Sequence, residues 1–295
     1  MHPIERMETT ELLKKVRAIE IRTRGLSRQI FSGEYHSAFK GRGMAFSENR
    51  EYQHGDEIRT IDWNVTARLG HPYVKVFEEE RELTAIILAD VSGSEDFGSG
   101  EQLKRQLITE LSAVLAFSAI QNNDKIGVLL FSDRIEKFIP PKKGKTHILH
   151  IIRELLDFKP EGRGTDIALA LDYLNRVVKK RSICFIVSDF IGEGFEHALR
   201  ITSRKHDVVA LHVEDRGEME LPNAGWLQIR NAETGHLQWI NSSRKAVRKA
   251  LRVEYLERKS RLKELFGKAG VDHITLKTDT PYVKPLMTLF KQRAS

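Results

Sequence analysis

The stretch TAIILADVS, residues 84–92, decides the fold. Its run of apolar residues before Asp90 is typical of a strand buried on both faces, as in a parallel sheet covered by helices. Similar apolar runs recur at residues 124–133, 181–189 and 206–215, with helical patterns between them. Strands that alternate with helices predict βαβ units with right-handed crossovers. The sequence therefore predicts an α/β fold with a doubly wound, mainly parallel sheet.

Further elements follow the same reasoning. The segment RIEKFIPP, residues 134–141, predicts an antiparallel edge strand that ends at Pro140 and Pro141, because proline cannot donate to a ladder. Residues 226–240 predict a hairpin with its turn at Glu233-Thr234-Gly235, and residues 271–278 predict a last strand before a closing helix.

Changes in residue composition and pattern along the sequence predict two domains. We expect the α/β domain to span residues 81–295 and an N-terminal α+β extension to span residues 1–80. The extension begins with a helical pattern up to about residue 27. Its remainder is rich in aromatic residues and glycine, which favours short strands and turns over helices. Residues 71–80 are its clearest strand.

Composition excludes several classes of protein. The chain has 295 residues, a net charge of +7 and one cysteine, Cys184, which excludes a disulfide scaffold and multi-cysteine metal sites. Cys184 lies in an apolar run, so we expect a buried, unreactive thiol. The N-terminus lacks the apolar core of a signal peptide, and no apolar run is long enough to span a membrane. We expect a cytoplasmic protein.

The positive charge is concentrated near the C-terminus. Residues 242–270 contain ten Lys or Arg and three Glu on a helical pattern. Three explanations are open for this cationic face: a solvated surface, the docking site of an acidic partner, or a nucleic-acid site. The third is the least favoured, because no aromatic residues alternate with the charges to stack on bases.

Polar residues follow the buried strands at the positions where such sheets bind ligands. Asp90, Ser92 and Ser94 follow the first buried strand, Thr165 precedes a helix, and Asp189 follows the third buried strand. The carboxyl ends of parallel strands meet at one edge of the sheet. Carboxylate and hydroxyl oxygens suit a hard cation, Mg²⁺ or Mn²⁺. Each cluster alone would also fit a turn or a helix cap, but their order at successive strand ends favours a metal site.

These residues resemble the metal-ion-dependent adhesion site of von Willebrand factor A domains, in which D-x-S-x-S is followed by a distant Thr and a later Asp. The resemblance implies direct contact of the ion with Ser92, Ser94 and Thr165. It implies that Asp90 and Asp189 act through water or as hydrogen-bond acceptors. It also implies that an acidic residue of a protein partner completes the coordination.

A second resemblance involves residues 50–63, REYQHGDEIRTIDW, and the strand VKVFEEE at residues 74–80. They are similar to the hallmark of the bacterial family called domain of unknown function 58, or DUF58. That family places this module before a von Willebrand A-like domain, and its members are usually encoded beside MoxR-type AAA+ ATPases. One departure is Glu95, because many adhesion-site motifs have an apolar residue there, often Met. Another is the absence of the membrane segments that many members have.

The hallmark segment carries alternating charges: Arg50, Asp56, Arg59, Asp62 and Arg68. If they are partly buried they must pair, because an isolated buried charge is costly. We expect a structural network that locks the extension onto the α/β domain. A contact surface for a partner and a catalytic role are the alternatives.

The sequence therefore predicts a non-enzymatic, metal-dependent adaptor. By resemblance it works with a MoxR-type AAA+ ATPase to remodel or activate a client. The alternative is a Mg²⁺-dependent hydrolase, a phosphatase or a nuclease. A haloacid-dehalogenase-like phosphatase requires D-x-D-x-T, and here Ser92 replaces the second carboxylate.

Overall fold

The computed structural model describes residues 14, 16–20, 23, 25–26, 44–79, 83–99, 102–230 and 236–294. Contacts divide the chain into two compact units, residues 39–82 and residues 1–38 with 83–295. Compactness does not show which segments fold independently, so the division into domains 1–80 and 81–295 stays a prediction. Among the described helices, none is long and apolar enough to cross a membrane.

The elements of the described chain are numbered in chain order. The strands are β1 Met44–Glu51, β2 Tyr73–Glu79, β3 Thr84–Asp90, β4 Lys125–Phe131, β5 Ile135–Lys142, β6 Ile183–Ser188, β7 Asp207–Glu214, β8 Trp226–Arg230, β9 Leu237–Asn241 and β10 Asp272–Lys277. The α-helices are α1 Trp63–Leu69, α2 Lys104–Gln121, α3 Lys145–Asp157, α4 Ile167–Val177, α5 Glu196–Lys205, α6 Arg216–Met219, α7 Lys245–Ala269 and α8 Val283–Ala294. Short 3-10 helices span Ile58–Thr60 and Gly93–Asp96. Residues 16–20 are also helical, and much of the predicted N-terminal helix lies outside the described residues.

The central sheet has the strand order β10-β7-β6-β3-β4-β5. Its described pairings are parallel except that of β4 with β5. The chain moves outward from β3 to β5 and then returns to pair β6 with the free side of β3, so the strand order reverses between β3 and β6. This confirms the predicted doubly wound, mainly parallel sheet. It also places the ligand-binding position of such sheets at the carboxyl ends of β3 and β6.

The hydrophobic core lies between the central sheet and the helices that cover it. Ile86, Leu88 and Phe131 are fully buried, and Phe266 of α7 joins them in one cluster. Burying an aliphatic or aromatic side chain of this size stabilises the fold by about 1.5–3 kcal/mol. Cys184 is buried as predicted. The core therefore fixes the strand ends that carry the polar residues.

The edge strand β5 differs in one respect from the prediction. It is antiparallel to β4 and lies at the edge of the sheet, as expected. It does not end at the prolines, because Pro140 and Pro141 lie inside it. The pairing of β5 with β4 shifts register between Ile126 and Val128 of β4. The prolines lie opposite this point, and they provide no N–H donor for the pairing. A bulge on an edge strand therefore accommodates both prolines.

The unit of residues 39–82 contains a helix that the sequence did not predict. Helix α1 begins where Asp62 Oδ1 accepts hydrogen bonds from the backbone N–H groups of Asn64 (3.0 Å) and Val65 (3.3 Å). It ends at Gly70, whose φ of 74° is the left-handed conformation that favours glycine. The expectation of short strands and turns is wrong for this segment, because an aspartate cap and a glycine stop outweigh its low helix propensity.

The C-terminal elements agree with the sequence predictions. Strands β8 and β9 form the antiparallel hairpin, although its turn lies outside the described residues. The basic pattern at 242–270 forms α7, which buries Tyr255, Leu262 and Phe266. It ends at Gly270. The three explanations of its cationic face stay open.

Candidate metal centre

The first part of the site is the carboxyl end of β3. Asp90 ends the strand, and its Oδ1 accepts a hydrogen bond from the N–H of Ser92 at 2.9 Å. The 3-10 helix that follows brings the hydroxyls of Ser92 and Ser94 within 3.1 Å of each other. All three side chains are buried. D-x-S-x-S therefore makes a compact turn with its polar groups inside the protein.

The second part is the carboxyl end of the neighbouring strand β6. Ser188 Oγ donates a hydrogen bond to Asp90 Oδ2 at 2.6 Å, which ties the two strand ends together. Asp189 follows, and its Oδ1 accepts from the N–H of Ile191 at 3.0 Å. Phe190 between them has a φ of 53°, an uncommon left-handed conformation for a bulky residue. Such strain persists only where surrounding structure enforces it.

Packing around the Phe190 ring enforces its left-handed backbone conformation. The ring is buried and lies edge-on to Phe266, with a centroid distance of 5.1 Å, and it also contacts Phe195 and His212. The aromatic core therefore holds the turn that orients Asp189.

The loop before α4 is the third part. Gly162 approaches the β4–β5 turn so closely that a Cβ there would lie 2.2 Å from both Ser132 Oγ and Asp133 Oδ1. The N–H of Gly93 donates to the carbonyl of Arg163 at 2.9 Å, which brings this loop to the first one. Thr165 follows, and its buried Oγ1 has no hydrogen-bond partner.

Asp166 has a local role in that loop. Its Oδ1 caps α4 by accepting from the N–H of Leu169 at 2.8 Å. A cap of this kind accounts fully for an aspartate before a helix, so Asp166 needs no role at the metal site.

Three carboxylates meet where these parts converge. Asp90, Glu95 and Asp189 each have an oxygen within 4.8 Å of the others, and all three side chains are buried. Glu95 Oε1 accepts from the N–H of Asp189 at 3.2 Å, whereas its Oε2 is buried without a hydrogen-bond partner. Buried carboxylates this close to one another cost free energy unless positive charge lies near them.

Lys104 supplies part of that charge. This first residue of α2 is fully buried, and its Nζ lies 2.6 Å from Asp189 Oδ2 and 2.6 Å from Glu218 Oε1. Burial works to lower the pKa of Lys104, but the surrounding carboxylates, Asp189 foremost, raise it above its usual range. The raised pKa favours the charged form of Lys104, and its contact with Asp189 holds that carboxylate in place.

The pKa shifts show that the three carboxyls do not ionise equally. Burial, with help from the nearby Asp189, raises the pKa of Asp90 to about 7. Burial likewise raises the pKa of Glu95 well above its usual range. Burial opposes ionisation of Asp189 too, but the Lys104 ammonium lowers its pKa.

The donor chemistry fits a divalent cation. In the described part of the chain, the triad has three carboxylates and one ammonium in contact with it. A dication would offset the charge of Asp90 and Glu95 in their ionised forms. Oxygen donors of this kind are those that hard cations prefer.

Most of the predicted site residues come together. Asp90, Ser92, Ser94 and Asp189 form one contiguous buried cluster, and a hydrogen bond from Ser94 helps to lower the pKa of Asp189. The loop that carries Thr165 is joined to the first loop through Arg163 and Gly93, and the Thr165 hydroxyl is buried without a hydrogen-bond partner. Their role as ligands stays a prediction.

Lys104 and Glu218 were not predicted as site residues from the sequence, and Glu95 was noted there only as a departure from the adhesion-site motif. A signal for Lys104 exists. It lies three and seven residues before Leu107 and Leu111 at the start of α2, a helix in which every residue from Leu107 to Ala119 is buried. A lysine in such a position requires a buried acidic partner.

Comparison with known proteins identifies relatives of the chain. The family described as "Protein of unknown function DUF58" matches residues 48–261. Uncharacterized protein Rv1480 of Mycobacterium tuberculosis is 30% identical over 232 residues, which are 78% of this chain and 73% of that protein. Uncharacterized protein YeaD of Bacillus subtilis is 26% identical over 106 residues, 36% of this chain and 24% of that protein.

A solved structure has the same fold. An aerotolerance-related membrane protein from Bacteroides fragilis matches 72% of this chain and 98% of its own with a TM-score of 0.50 at 16% identity. The SpRpn10 VWA domain matches 72% of this chain and 95% of its own with a TM-score of 0.41 at 10% identity. The Bacteroides likeness supports the fold alone.

Proposed function

The chain belongs to the DUF58 family, and on that premise we propose that it is a non-enzymatic protein-binding adaptor whose binding depends on a divalent cation, Mg²⁺ or Mn²⁺. One observation carries the proposal: the buried triad of Asp90, Glu95 and Asp189, whose oxygens lie within 4.8 Å of one another and which has one ammonium, Lys104, in contact with it among the described residues. Three carboxyls this close can all ionise in a protein interior only with positive charge beyond that of one lysine.

Each residue then has a defined task. Ser92, Ser94 and Thr165 offer neutral hydroxyl oxygens, and Asp90 and Asp189 offer charge and hydrogen-bond acceptors. A bound cation would supply positive charge and a coordination position for an oxygen of another protein. The hydroxyl ligands are neutral and do not reduce that charge, so the carboxylates around the ion decide how much of it remains to attract an acidic residue.

A MoxR-type AAA+ ATPase is the partner that we propose, and the adaptor would help it to remodel or activate a client. The support for this partner is the hallmark segment at residues 50–63. Ser92 favours a docking role over hydrolysis, because it occupies the position at which a phosphatase of the D-x-D-x-T type has its second carboxylate.

Binding of the purified chain to a purified MoxR-type ATPase of the same organism tests this proposal. We expect Asp90→Asn to weaken binding at least about tenfold, in line with the loss of metal affinity when a site is disturbed. Asp172→Asn, which changes an exposed carboxylate on α4, is the matched control and should bind like the parent. The variant is more decisive than a chelator, because a chelator would also remove Mg²⁺ from the ATPase.

Two results would contradict the proposal. One is equal binding by Asp90→Asn and Asp172→Asn. The other is Mg²⁺-dependent turnover of p-nitrophenyl phosphate or DNA that disappears in both Asp90→Asn and Asp189→Asn. The second result would establish the hydrolase instead.

A further inference from the structure

Glu95 is the member of the triad that the adhesion-site resemblance does not assign. We propose that Glu95 is a resident ligand of the ion and occupies the coordination position that an acidic residue of a partner would need. This inference rests on the proposed function and adds its regulation: the site is closed by the chain itself, and a partner must displace Glu95.

The contacts of Glu95 support direct coordination. The side chain is fully buried, and only Oε1 has a hydrogen bond, from the N–H of Asp189 at 3.2 Å. Oε2 is buried with no hydrogen-bond partner. A buried carboxylate oxygen without a partner is costly unless something positive binds it.

The spacing of the triad fits one ion. Its oxygens lie within 4.8 Å of one another. Two oxygens on opposite sides of a Mg²⁺ ion are about 4.2 Å apart, because each bond is about 2.0–2.1 Å. Small side-chain movements would therefore bring Asp90, Glu95 and Asp189 onto the same ion.

The burial of the site shows why a partner needs displacement. Asp90, Ser92 and Asp189 are each 1% exposed, Ser94 is 5% exposed and Glu95 is not exposed at all. A carboxylate from another protein would have to reach an ion held among side chains that are almost fully covered. Glu95 lies on the short 3-10 helix Gly93–Asp96, and movement of that helix would open the position.

The substitution Glu95→Gln tests this assignment. Glutamine has the same size and can still accept the hydrogen bond from Asp189 N–H, but it is a weaker ligand. We expect the Mg²⁺ dissociation constant from calorimetric titration to rise at least about tenfold, since even residues that only support ligands contribute about 10- to 100-fold. In EDTA the variant should melt at or above the parent, because glutamine is neutral and avoids the cost of a buried carboxylate that has no ion to bind it.

A matched control separates coordination from a general charge effect. Glu154→Gln removes a carboxylate that pairs with a lysine, Lys137, at 2.6 Å away from the triad. Its Mg²⁺ affinity should stay close to that of the parent. Glu95→Met, with the residue type common at this position in such motifs, should lose affinity as Glu95→Gln does.

Water relaxation measured with Mn²⁺ provides a second readout. If Glu95 occupies a coordination position, Glu95→Met, which offers no oxygen, should have one more exchangeable water on the ion than the parent. Equal Mg²⁺ affinity and equal water number in the two proteins would overturn the assignment and leave the proposed function standing. A parent that takes up no Mg²⁺ in the same titration would overturn both.

Discussion

Two sets of charged residues, those of the metal centre and those of the hallmark segment, lie in opposite environments. At the metal centre, Asp90, Asp189 and Lys104 are at most 1% exposed. In the unit of residues 39–82, the Arg50 side chain is 40% exposed, and Arg59 and Arg68 are exposed as well. Dense charge in the sequence is therefore a poor guide to burial.

The reason for the difference is position in the fold. The metal-centre residues follow strands that are covered on both faces, so their side chains enter a protein interior whether or not they are polar. The hallmark residues belong to a two-stranded sheet and a short helix, which cover little surface. There, Arg50 and Asp56 form a bidentate pair with distances of 2.8 and 2.6 Å, and Asp62 lies 3.6 Å from Lys75.

This finding corrects one expectation. Among the residues of this unit that the structure describes, the charges do not form one buried network, since Asp62 caps α1 and lies near a lysine rather than an arginine. Trp63 is 67% exposed. The idea that the segment locks two domains together stays a prediction, as does the alternative of a contact surface.

Among the variants predicted here, we expect Lys104→Met to lower the free energy of unfolding the most. It leaves Asp189 and its neighbours without their buried ammonium, so we expect the free energy of unfolding to fall by about 3–5 kcal/mol in EDTA. Urea unfolding measures it. Millimolar Mg²⁺ should recover part of the loss, because it replaces some of the missing charge.

Lys137→Met is the matched control for that experiment. Lys137 pairs with Glu154 at 2.6 Å on the surface, where its side chain is 40% exposed. Such pairs contribute about 0–1 kcal/mol. If both variants unfold at the same urea concentration, burial does not distinguish the two kinds of charge and the comparison is wrong.

A smaller effect is expected at Asp62. Asp62→Ala removes the acceptor for the N–H groups of Asn64 and Val65 and should lower Tm by a few degrees, well short of the change in Lys104→Met. Asp62→Asn keeps a side-chain oxygen at the cap and should lose less. Differential scanning calorimetry of the three variants checks this order. A melting temperature of Asp62→Ala as low as that of Lys104→Met would restore the buried-network hypothesis.

Much of the fold and part of the site could be predicted from the sequence. The apolar run at residues 84–92 predicts a central parallel strand, and polar residues after β3 and β6 predict which side chains meet. Helix α1 was missed because a single cap at Asp62 decides it, a local effect that periodicity does not detect. Lys104 was missed because its partners, Asp189 and Glu218, are 85 and 114 residues away in the chain.

The central claim is that the buried carboxylates bind a divalent cation, and thermal unfolding with and without Mg²⁺ tests it most directly. At a Mg²⁺ concentration of about 100 times Kd, the parent should gain about 2.7 kcal/mol of stability over EDTA. Asp90→Asn should gain none, whereas Asp172→Asn should gain as much as the parent. An equal gain in Asp90→Asn and the parent, or no gain in the parent, would contradict a metal centre at the ends of β3 and β6.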